Sequence, residues 1–180
     1  MSLSGTIKWK EIFMMKGERL EVLELLYKKN YFSNLQNGNE LDKQDLLSIA
    51  KHCRNLKELY LYKIHFEYET LLEICENLSQ LKTLILEDCT SNSWLSLSSL
   101  SSVTHLALER CSIDSVEEMK IIVKNFKNLV FLNVCEVPCM NFDLLELICE
   151  IPTLKTLRFK NVYNIPSQWR PNRKDLRIIF

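Results

Sequence analysis

Seven cysteines (Cys53, Cys75, Cys89, Cys111, Cys135, Cys139 and Cys149) and three histidines (His52, His65 and His105) are the side chains here with the widest chemical repertoire. Thiols and imidazoles can hold zinc, exchange disulfides or attack a carbonyl, and each use imposes a spacing. A structural zinc site takes four ligands, usually as close cysteine pairs or with histidine. No Cys-x-x-Cys occurs; the nearest pair, in "CEVPC" at 135–139, is separated by three residues and has no redox-type helix after it. An odd number of dispersed cysteines without a secretory signal suits free thiols in a reducing compartment. Three glycines leave no material for a phosphate-cradling loop, and no nucleophile motif is present. The reading is therefore of no catalytic residue, no metal and no cofactor. His105 is a contact residue, without a partner base or nucleophile.

The chain has 180 residues, enough for a single domain that buries roughly 70% of its unfolded surface. Lys plus Arg number 23 and Asp plus Glu number 23, so bulk charge draws it neither to nucleic acid nor to an anionic membrane. The start, "MSLSGTIKWKEIF", lacks the apolar core of a signal peptide. No run approaches the ~20 apolar residues of a transmembrane helix. These features predict a cytoplasmic or nuclear protein.

One frame recurs along the sequence. It appears as "LEVLELLYK" at 20, "LKELYLYKI" at 56, "LKTLILEDC" at 81, "VTHLALERC" at 103, "LVFLNVCEV" at 129 and "LKTLRFKNV" at 154. The starts differ by 36, 25, 22, 26 and 25 residues. Within each copy the fourth and sixth positions are apolar and their neighbours variable, the period of a half-buried strand. Between copies lie "KQDLLSIAKHC", "YETLLEICENL", "VEEMKIIVKNF" and "FDLLELICEI", whose apolar residues fall three and four apart, as in helices. Strand, helix and strand again predict an α/β solenoid with a parallel sheet on its concave face and helices on its convex face. In the 22-residue interval, "SNSWLSLSSLSSV" is too short and serine-rich for a full helix and predicts a 3₁₀ segment. The 36-residue interval holds "YFSNLQNGNELDKQD", read as a protruding loop.

These copies resemble the leucine-rich-repeat family, and in particular its cysteine-containing subtype found in F-box leucine-rich-repeat proteins. The resemblance covers about residues 7 to 180 and rests on Cys89 and Cys111 at the ninth position, on "CRNLKELYL" at 53–61, and on the helix lengths. It implies a right-handed horseshoe arc, with 1–19 as an N-terminal capping helix or half-repeat and 163–180 as a C-terminal cap. It further implies substrate recognition for a cullin-based ubiquitin ligase. An F-box supplies the ligase contact in that family, and none is visible here, so a cullin-ligase adaptor is a partner only if an F-box lies outside this chain. The alternative is a stand-alone scaffold or regulatory adaptor without ubiquitin chemistry.

Positions three, five and seven of each copy should project from the concave sheet. The candidate partner-binding residues are Glu24, Glu58, Tyr60, Tyr62, Ile85, Glu87, His105, Glu109, Phe131, Asn133, Arg158 and Lys160. Exposed aromatic and apolar bulk among charges is the composition of an interface. The glutamates of the first four copies, opposed to Arg158, Lys160 and the tail residues Arg170, Arg173, Lys174 and Arg177, predict a polarised face. Its acidic end suits a protein partner with a basic segment.

Overall fold

The computed structural model describes residues 9–26, 41–162 and 164–180. Six strands occupy the third to seventh positions of the six copies: β1 (Val22–Leu26), β2 (Glu58–Tyr62), β4 (Thr83–Glu87), β6 (His105–Glu109), β7 (Phe131–Cys135) and β8 (Thr156–Lys160). With β9 (Arg177–Ile179) they form one seven-stranded sheet in the order β1-β2-β4-β6-β7-β8-β9. Every pair is parallel. The register follows from the alternation: Leu59, Leu84, Leu106, Leu132 and Leu157 lie side by side and are fully buried. A one-residue slip in any strand would turn that row to the other face. Two further strands, β3 (His65–Phe66) and β5 (Thr90–Ser91), form a small parallel sheet of their own, which the sequence did not reveal. His65 Nδ1 meets Thr90 Oγ1 across it at 2.8 Å.

Five helices pack on the leucine side: α1 (Trp9–Lys16), α2 (Lys43–His52), α3 (Tyr68–Asn77), α4 (Val116–Asn125) and α5 (Phe142–Cys149). A 3₁₀ turn at Leu95–Ser99 stands where the serine-rich interval lacks the length for a helix. Contacts run from α1 to α2, α3, the 3₁₀ turn, α4 and α5, so the elements on the leucine side follow the strand order. Caps fix the helix starts. Asp42 and Asp45 exchange side-chain and backbone bonds in a capping box at α2, Ser115 caps α4, and Asn141 caps α5. At α3, where Glu67 offers no side-chain cap, Asn92 of the following unit accepts from the Tyr68 amide at 2.8 Å.

Strands β2, β4, β6, β7 and β8 end in the same way. Lys63, Asp88, Arg110, Glu136 and Asn161, at the eighth position of their copies, all have φ between 53° and 60°. That left-handed conformation is unfavourable for a side chain, by roughly 1–2 kcal/mol each. At four of the five it is held by a repeated bond in which the amide of the eighth residue donates to the seventh carbonyl of the next copy: Lys63 to Glu87, Asp88 to Glu109, Arg110 to Cys135 and Glu136 to Lys160, at 2.9–3.2 Å.

The ninth position then turns inward. Cys89 and Cys111 are fully buried, and each thiol points back at the sixth carbonyl of the preceding copy, Cys89 Sγ to Leu61 O at 3.6 Å and Cys111 Sγ to Leu86 O at 3.4 Å. The cysteine thus fills a small apolar site and offers a weak donor to a carbonyl at the strand end. All seven cysteines are free and buried. Burial pushes the Cys53, Cys139 and Cys149 thiols up to about 11, away from the reactive thiolate.

Both described ends of the stack are covered. At the first, Phe13 of α1 is buried, and Gly17 lies so close to the end of α2 that a Cβ there would stand 2.6 Å from the His52 carbonyl oxygen. At the other, Trp169 packs edge-on against Phe142 and Phe159 and donates to Glu146 at 2.6 Å. The loop expected over 31–45 lies mainly outside the described residues. No described helix is long and apolar enough to cross a membrane.

Candidate functional site

The sheet face opposite the leucines is built from the odd positions of the copies, and the register orders them into rows that cross the strands. The third positions give Val22, Glu58, Thr83, His105, Phe131, Thr156 and, on β9, Arg177. The fifth positions give Glu24, Tyr60, Ile85, Ala107, Asn133, Arg158 and Ile179. The seventh positions bring Tyr62 beside Glu87, Glu87 beside Glu109, and Cys135 beside Lys160. All twelve candidates therefore share one face.

The apolar and aromatic members run from β2 to β7 on this face. Tyr60, Tyr62, Ile85 and Phe131 are half-buried, their edges held by neighbours and their outer surface open. His105 stacks on Phe131 with ring centroids 6.0 Å apart and planes 20° apart, while its Nδ1 meets Thr104 Oγ1 at 2.9 Å. The Tyr60 hydroxyl donates to Glu58 at 2.8 Å, and this bond to a carboxylate pushes the phenol above its ordinary value. The Lys63 ammonium sits 4.8 Å from the centroid of the Tyr62 ring.

Three expectations about this face need correction. Asn133 is not a free contact: it is only 4% exposed, donating to Glu109 at 3.1 Å and accepting from the Cys135 amide at 3.0 Å. A small amide flanked by longer Glu109 and Arg158 is covered by them. The acidic stretch is not a continuous field either. Arg110, which sequence reading passed over, bonds Glu87 through Nη2, Asp88 through Nε at 2.9 Å and Glu109 through Nη1 at 2.7 Å. One guanidinium fork thereby ties together carboxylates from two adjacent copies. Donation from Arg110 holds the Asp88 carboxyl below its ordinary value. Lastly, Arg173 is not part of a free basic tail. It donates to the Ile151 carbonyl, to the Leu154 carbonyl at 2.9 Å and to Asp175, fastening the C-terminal segment.

After these pairings the Arg110 cluster, one cation among three carboxylates, stays net acidic, and the other charges of the face sit toward its two ends. Glu24 and Glu58 have no cation within salt-bridge distance among the described residues. Arg158 lies 3.8 Å from Glu109, the longest ion pair on the face, and Arg177 is exposed. Lys160 pairs with Glu136 at 3.3 Å. Among the described residues no group of three or more His, Cys, Asp or Glu is placed to hold a metal ion.

No protein-family model matches this chain, and no curated protein matches it. Among solved structures it is similar to an internalin from Listeria monocytogenes, with 16% sequence identity and a TM-score of 0.47 over 74% of this chain. The chain spans 50% of that internalin's length.

Proposed function

We propose that this chain is a non-enzymatic recognition module of the leucine-rich-repeat type, a single unit that binds another protein across the open face of its sheet. The observation that supports this most is the strip of that face from β2 to β7. Tyr60, Tyr62, Ile85 and the stacked His105–Phe131 pair present aromatic and apolar surface on the sheet, while the opposite face packs its leucines against the helices, Leu23 only in part. Half-exposed aromatics ringed by charged groups are the composition of an interface centre.

The test is the double variant Tyr60→Ala, Tyr62→Ala. Both rings lie on the open face, so circular dichroism and the unfolding curve should stay close to wild type, while proteins captured specifically by the wild-type chain should be lost from the variant. Loss of folding would mean that the rings support the core instead. The narrower role, capture of a target for a cullin-based ubiquitin ligase, rests on the sequence resemblance alone. Reproducible co-purification of a cullin adaptor with the full-length protein would support it. A clean failure leaves the stand-alone scaffold or regulatory adaptor.

A further inference from the structure

The register does more than place acid at one end of the face and base at the other. In the third-position row the carboxylate is Glu58 on β2, without an ion-pair partner among the described residues, and the cation is Arg177 on β9. In the fifth-position row they are Glu24 on β1 and Arg158 on β8. Following the strand order, each row passes through five inter-strand steps from carboxylate to guanidinium. At ~4.8 Å per step that is about 24 Å. The seventh-position row differs, because Arg110 already joins Glu87 and Glu109, and Lys160 already joins Glu136. Two adjacent rows thus carry charges in the same order at the same separation, with neutral side chains between; the one ion pair made by these four groups among the described residues is the long 3.8 Å contact of Arg158 with Glu109.

We infer that the partner is an extended polypeptide segment running across the strands, with a lysine or arginine and an aspartate or glutamate about seven residues apart. This rests on the reading that the open face binds protein. An extended chain advances ~3.3 Å per residue, so about seven residues cover 24 Å. The segment's cation lies against Glu24 and Glu58, where the Tyr60 ring adds a π face beside the carboxylates. Its anion lies against Arg158 and Arg177, whose forks can take a carboxylate bidentately. The residues between them pass over Ile85 and the His105–Phe131 stack and carry apolar side chains. A uniformly basic segment fits poorly, since its second cation would meet Arg158 and Arg177.

The experiment is selection of random peptides of about twelve residues, long enough to span the pattern, on the full chain. It is repeated on the double variant Glu24→Lys, Glu58→Lys and on Tyr60→Ala, Tyr62→Ala. The expected result is enrichment of opposite charges about seven positions apart, with each charge worth up to about fivefold in affinity. On the charge-reversed chain the cation in the selected peptides should give way to an anion. Peptides selected without that spacing, yet lost on the tyrosine variant, would overturn this inference and leave the proposed function standing. Failure to select any peptide that depends on the tyrosines or on the charged ends would overturn both.

Discussion

Replacing Arg110 with glutamine tests the electrostatics of the face most directly. The substitution keeps a polar side chain, though a shorter one, and removes the charge that ties Glu87, Asp88 and Glu109 together. Arg110 is 35% exposed, so water screens each pair and none can be valued as a buried ion pair. At 0.2–1 kcal/mol per exposed pair, three pairs give about 1–3 kcal/mol, with mutual repulsion of the remaining carboxylates included at the upper end. In a chain of this size that is a fall in melting temperature of roughly 2–10 °C. The sign with pH follows from Asp88. Its folded-state pKa is lowered, first by the bond from Arg110, so the contribution is full above the unfolded carboxylate value and disappears as pH falls through the folded one. Urea unfolding of both proteins should show the full difference at neutral pH, a smaller one once pH drops below about 4, and partial loss in high salt. A difference that stays constant down to pH 3, or none at neutral pH, would refute the account.

Leu84→Ala removes a fully buried side chain from the middle of the leucine row and should destabilise by about 2–5 kcal/mol in chemical denaturation; an unchanged midpoint would mean that the repeat register is wrong. Glu118→Ala should cost about 1–3 kcal/mol by differential scanning calorimetry, because one carboxylate oxygen accepts from Ser93 Oγ and from the Trp94 and Leu95 amides at the start of the 3₁₀ turn. Glu118→Gln retains an acceptor and should recover part of the loss, an outcome that a purely steric role for Glu118 would not give.

What could be read from the sequence was what depends on period. The fourth and sixth positions alternate with the odd ones, and that alone places Leu84 and Leu86 inward and Ile85 outward. Stacking of six copies then sets which residue neighbours which, down to the row that joins Glu24 to Arg158. Even the shortened interval was legible, because a 22-residue spacing leaves no room for a helix at 91–102. Interactions between copies at irregular separations were not legible. Glu118 caps a turn 23 residues earlier in the chain, and Asn92 caps a helix 24 residues earlier, so no local pattern marks either one.

Arg110 was hidden for a more instructive reason. Alternation assigns an eighth-position residue to the leucine side, yet the left-handed turn breaks the alternation there and swings the guanidinium back over the end of the sheet. Had the face been judged from its strand residues alone, Glu87 and Glu109 would count as free acids available to a cationic partner. With Arg110 in place their oxygens are committed to one guanidinium, although the three carboxylates stay net negative, and the charges of the other two rows lie toward the two ends. That changes the expected partner from a simple basic segment to one with opposite charges at a set separation. The recurring turn that ends each strand therefore does more than reverse the chain. At Arg110 it decides which charges of the face remain to be met by something else.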